Sequence, residues 1–135
     1  MTEIRPTTKK WTLDKHEFYA VYHYALNYEK FVRKRAELKA TELKGLAYDG
    51  MPHSKDPGDP TGSIASQIAE YTAKIEAIED TAKEVDPVLA EFILYAATHD
   101  VSYEYLRYKL EMPCGHSRYY ELRRKYYYLL SKKIF

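Results

Sequence analysis

The chain has 135 residues, with 21 Lys and Arg, 20 Asp and Glu, 15 Tyr, one Cys and a formal net charge of +1. That is the length of one domain, or of one domain with an appended arm, and it can bury a core without metal or disulfide staples. A lone Cys excludes an internal disulfide framework and points to a reducing compartment. The near-neutral total, taken alone, speaks against a nucleic-acid binder that is basic throughout.

Charged residues at 30% and hydrophobic ones at 45% exclude a disordered composition. Met1–Lys10 is polar and has no apolar signal core. The longest strongly apolar run, Phe92–Ala97, is far short of the roughly 20 residues that a spanning helix needs. The expectation is a soluble cytoplasmic protein without a membrane partner. Helical periods recur along the chain and alternating strand patterns are missing, so the expected fold is all-α: a long helical hairpin or arm followed by a C-terminal tri-helical helix-turn-helix.

The first helix is expected from Leu13 to Lys44, within an N-terminal region 1–48. Phe18, Val21, Ala25, Tyr28 and Val32 recur at spacings of three and four, and the phase then slips to Ala36, Ala40 and Leu43. Gly45 is the expected stop. The stretch 46–60, with the linker at 49–60, is rich in Pro, Asp and Gly and reads as an unusually long connection.

Asp59 and Pro60 suit the start of a second long helix, 61–85. Ile64, Ile68, Tyr71, Ile75, Ile78, Ala82 and Val85 form an alternating four-three seam. It serves either a hairpin with the first helix or a homodimer through Ile64, Ile68, Tyr71, Ile75 and Ile78. The region 86–135 then carries three shorter helices. Asp86-Pro87 opens one through Thr98, Ser102 opens Tyr103–Lys109, and after Leu110-Glu111-Met112-Pro113 the last runs from Gly115 to Lys132. Tyr119, Leu122, Tyr126 and Leu129 are its inward stripe.

A supporting helix, a short helix, a tight turn and a longer helix make the helix-turn-helix pattern. A helix fits the major groove, and the residues at its start face base edges. Here those are His116, Ser117, Arg118 and Glu121. Ser102, Tyr103, Arg123, Arg124 and Lys125 are the candidates for phosphate contact. Charge supports this: residues 1–48 carry +4, 49–100 carry −8 and 101–135 carry +5. Basic residues near a helix C-terminus, such as Lys132 and Lys133, also answer the helix dipole, but Arg118 near a helix start does not.

Tyr119, Tyr126, Tyr95 and Tyr105 read as core. Tyr120, Tyr127 and Tyr128 cannot all point inward, and packing on the arm or a partner is favoured over stacking on bases. Catalytic signals are weak. Cys114-Gly115-His116 does not make a zinc site, His53 and His99 have no paired spacing, and Asp49, Asp56 and Asp59 lack the calcium-loop pattern. No enzyme activity, metal or cofactor is expected.

Ser102-Tyr103-Glu104-Tyr105-Leu106, and Met112-Pro113-Cys114-Gly115-His116-Ser117-Arg118-Tyr119-Tyr120-Glu121-Leu122-Arg123-Arg124-Lys125-Tyr126, resemble the C-terminal region of phage-encoded transcriptional regulators of the RinA/ArpU type. Their helix-turn-helix is similar to region 4 of sigma factors. Asp49-Gly50-Met51-Pro52-His53 and Asp59-Pro60-Thr61 look like that family's link. The resemblance spans about residues 15–132. It implies sequence-specific binding of double-stranded DNA and control of late phage or prophage genes in a bacterial host cell. Groove-reading roles would fall on His116, Ser117, Arg118 and Glu121, and the hairpin would dimerise or meet RNA polymerase. Pro113-Cys114-Gly115 is stiffer and smaller than the family's usual turn. A non-catalytic adaptor that binds a host protein through the hairpin, or an RNA-binding protein, is the alternative.

Overall fold

A computed structural model describes residues 10–47 and 60–135. Among them the regular elements are helical and none is a strand. In chain order they are α1 (Lys15–Leu26), α2 (Tyr28–Ala47), α3 (Pro60–Val85), α4 (Ala90–His99), a π-helical segment (Tyr105–Lys109) and α5 (His116–Ile134). They fall into two compact units, one of Met1–Tyr28 with Ala77–Phe135 and the other of Glu29–Glu76. The boundary between them lies inside α3.

The expected first helix is two helices. α1 opens on a capping box: the Asp14 carboxylate accepts from the Glu17 amide at 2.8 Å, and the Glu17 carboxylate accepts from the Asp14 amide at 3.2 Å. It ends at Asn27, whose amide turns back to the Tyr24 carbonyl at 3.1 Å while its side chain donates to the His23 carbonyl at 2.8 Å. These bonds tighten the last turn and interrupt the ladder, and α2 begins afresh at Tyr28. Gly45 does not stop α2, which runs through to Ala47. Asp59 and the stretch 48–59, including the loop residues Asp49, His53 and Asp56, lie outside the described residues.

In the first unit, Val21 and Ala25 of α1 meet Ile78, Ala82 and Val85 of α3, Ile93, Ala96 and Ala97 of α4, and Tyr119, Leu122, Tyr126, Tyr127 and Leu130 of α5, all buried. Each fully buried aliphatic or aromatic side chain contributes about 1.5–3 kcal/mol of transfer free energy. Tyr126 is 1% exposed, and its hydroxyl donates to the Ile78 carbonyl at 3.0 Å. The inward stripe of α5 is wider than expected: Tyr127 and Leu130 are buried, and Leu129 is half-buried. Tyr127 is inward because Phe18 and Tyr22 of α1 lie against it, with ring centroids at 5.3 and 6.1 Å. Tyr95 is half-buried and Tyr105 exposed, so neither belongs to the core.

Asp86 caps as expected, accepting from the amides of Val88 and Leu89 at 2.9 and 3.1 Å, but Pro87–Leu89 form a turn and α4 proper starts at Ala90. Asp100 ends α4 in the left-handed region, φ 56°. Glu111 is left-handed too, φ 58°.

In the second unit, Phe31 of α2 lies 6.0 Å from Tyr71 of α3, and the Lys74 ammonium sits over both rings at 5.3 and 5.4 Å. Arg35 donates to the Thr72 hydroxyl at 3.3 Å. The α3 seam is therefore used within one chain: Ile75 and Ile78 are 2% and 0% exposed, whereas Ile64, Ile68 and Tyr71 are half-buried.

Candidate nucleic-acid interface

The region 101–135 is built around one clamp. Ser102 accepts from the Tyr105 amide at 3.1 Å and starts the short helical turn. The backbone then widens: the Leu110 amide reaches back to the Tyr105 carbonyl at 3.3 Å, a five-residue step. Leu106 and Met112, both 0% exposed, anchor the two sides of the turn in the core. The Tyr103 hydroxyl donates to the Cys114 carbonyl at 2.8 Å. That bond ties the start of the short segment to the residue before the N-cap of α5, Gly115.

His116, Ser117 and Arg118, the expected base-reading residues, are exposed at the start of α5. The His116 ring leans on Tyr120 at 4.7 Å and Tyr103 at 5.3 Å. Arg118 is 57% exposed; its guanidinium is 3.5 Å from the Asp86 carboxylate and 3.9 Å from that of Glu121. Glu121 is thus bound up with Arg118. Burial pushes the Cys114 thiol above its ordinary range, and Arg118 nearby opposes that, so the thiol is not activated.

The five phosphate candidates divide. Ser102, Tyr103 and Arg123 line one cleft of about 340 Å³ with Asp100, Tyr119 and Tyr120. Tyr103 is only 9% exposed and its hydroxyl is already engaged, so it braces the turn. The Arg123 guanidinium lies over Phe18 at 5.6 Å and Tyr127 at 5.2 Å. Asp100 also accepts from the Tyr22 hydroxyl at 2.5 Å, and this bond, with burial, raises the Tyr22 pKa. Arg124 and Lys125 lie elsewhere, beside Trp11: Arg124 lines a second cleft with it, and the Lys125 ammonium is 5.4 Å from its ring.

Burial pushes the Tyr119 hydroxyl up to about 12, and Tyr126 and Tyr127 shift upward for the same reason. These phenols stay neutral near neutrality. Tyr120 packs on Tyr103, Tyr119 and His116, and Tyr128 on Trp11 at 5.4 Å. Packing thus accounts for the three tyrosines left over by periodicity.

Trp11 and the Asp86–Arg118 pair were not marked by the motif. The available signals were Lys10-Trp11 just ahead of a capping box, and an acidic cap opposite a cation at a helix start. Among the described residues, no group of three or more His, Cys, Asp or Glu could hold a metal ion, and no helix is long and apolar enough to cross a membrane. No family model matches the chain, and no curated protein or solved structure matches it.

Proposed function

We propose that the chain is a sequence-specific regulator of transcription that binds double-stranded DNA, with α4, the short segment and α5 acting as a helix-turn-helix and α2 with α3 as a helical arm. The observation that carries this is the exposure of His116, Ser117 and Arg118 together at the start of a helix braced by Leu106, Met112 and the Tyr103–Cys114 bond. In this reading the first turns of α5 enter the major groove. Arg118 leaves Asp86 and takes the two acceptors of a guanine edge. Ser102 and Arg123, which share a cleft, are the better phosphate contacts. Control of late phage genes is what the resemblance adds.

Selection of bound sequences from a random duplex library is the test. An enriched site whose affinity falls steeply with salt supports the reading. Absence of salt-dependent duplex binding at low salt sinks it. A symmetric site would mean a dimer; Ile75 and Ile78 are occupied in the single chain, so that dimer would rest on Ile64, Ile68 and Tyr71.

A second reading, the protein-binding adaptor, draws on a different observation. Arg123 and Lys125 lie over aromatic rings, the former over Phe18 and Tyr127 and the latter over Trp11, rather than on an open basic face. Preference for a protein over any duplex in the same selection would favour it.

A further inference from the structure

The segment before α1 and the middle of α5 enclose a cleft of about 180 Å³ lined by Trp11, Leu13, Phe18, Tyr127, Arg123 and Arg124. Its walls are largely apolar, yet cations gather around it. The Lys10 and Lys125 ammoniums lie 5.3 and 5.4 Å from the Trp11 ring centroid, and the Arg123 guanidinium covers Phe18 and Tyr127. No ion pair within the described residues joins any of these cations to a carboxylate; the pairs there involve Arg118 and Lys133. Asp14 and Glu17, which open α1, are bonded to each other's amides, and Asp100 accepts from Tyr22.

Arg124 is the odd member. Its Nε is buried and has no acceptor. A buried donor without an acceptor carries a desolvation penalty of roughly 1–3 kcal/mol, so this guanidinium is not fully satisfied by the fold. Charge and shape together ask for an anion with an apolar body. A duplex phosphate is strongly hydrated and brings nothing to fill an apolar cleft. A carboxylate beside a ring-sized or leucine-sized side chain supplies both parts.

We infer that the Trp11 cleft is a docking site for an acidic segment of a partner protein, whose apolar side chain fills the cleft while the neighbouring carboxylate accepts from Arg124. The cleft shares Arg123 with the proposed phosphate contacts but takes no residue from the first turn of α5, so the two readings are tested by different variants.

Trp11 is the single tryptophan of the chain, so its fluorescence reports the site directly. The probe is a blocked peptide, Gly-Glu-Phe-Glu-Gly, titrated into the full chain. A saturable change in Trp11 emission is expected. The Gln-for-Glu and Ala-for-Phe peptides should each bind about tenfold more weakly or worse. Arg124→Gln should remove the preference for Glu over Gln. Because that variant alters a half-buried side chain, Lys10→Gln, at an exposed residue over Trp11, is the second, expected to reduce affinity roughly three- to tenfold with an unchanged thermal transition. Equal binding of the three peptides overturns the proposal, as does no saturable change. So does saturation by phenylacetate without binding of the peptide, which would make the site one for a free aryl carboxylate.

Discussion

The ion pair between Asp86 and Arg118 offers a sharp test of the proposed base-reading role of Arg118. Asp86→Asn keeps the Oδ1 that accepts from Val88 and Leu89, so the turn before α4 should persist. It removes the charge that holds the Arg118 guanidinium at 3.5 Å. Arg118 is 57% exposed, so solvent screens the pair, and an exposed pair is worth about 0.2–1 kcal/mol. Releasing it should tighten binding to a selected duplex by about 1.4- to 5-fold, at tenfold per 1.4 kcal/mol. Arg118→Ala should do the opposite and more: about 1–3 kcal/mol lost on the best duplex and one base position relaxed. Fluorescence anisotropy with a labelled duplex over a salt series reads both variants. If Asp86→Asn leaves affinity unchanged and Arg118→Ala weakens all sequences alike, Arg118 is not reading a base and the geometry has been misassigned.

Three further outcomes follow from the packing. Tyr126→Phe leaves the Ile78 carbonyl one buried bond short, so stability should fall by about 1–1.5 kcal/mol and the thermal midpoint by about 3–6 °C; an unchanged midpoint would mean the bond is absent in solution. Tyr119 stands at about 12 in the folded chain against an ordinary 10.0. Its folded pKa is raised, so its contribution is intact below pH 10 and lost as the pH climbs towards 12, on the order of 3 kcal/mol in all. A late rise in near-ultraviolet tyrosinate absorbance should therefore coincide with loss of helical ellipticity; complete ionisation of the tyrosines before any unfolding would contradict the burial. Glu111→Gly removes a left-handed penalty of about 1–2 kcal/mol and adds chain entropy of about 0.5–1, for a net gain near 0.5 in denaturant melts, and a loss would mean that the Glu111 side chain is needed.

Helix periodicity carries the fold well wherever one stripe is buried against a neighbour, as with Ile78, Ala82 and Val85. It fails where a local bond competes with the ladder. Asn27 looks like any polar position on a long amphipathic helix, but its side chain and amide both turn back on the preceding turn. The π-helical step after Tyr105 is equally silent, because it rests on one widened hydrogen-bond ring and no special residue marks it. At the site, the exposed start of α5 follows directly from the turn and the spacing. The fate of Arg123, Arg124 and Lys125 does not. It depends on Trp11 and Phe18, more than a hundred residues earlier, folding back over the middle of α5.

The Tyr103–Cys114 bond, with Leu106 and Met112 sealed beneath it, has a thermodynamic consequence. The turn between the short segment and α5 cannot open without breaking this part-buried bond and wetting two apolar side chains. The wedge is rigid before it meets anything. A ligand seated on it then incurs little ordering entropy, and the heat-capacity change of association should match the contact area alone, with no surplus from coupled folding.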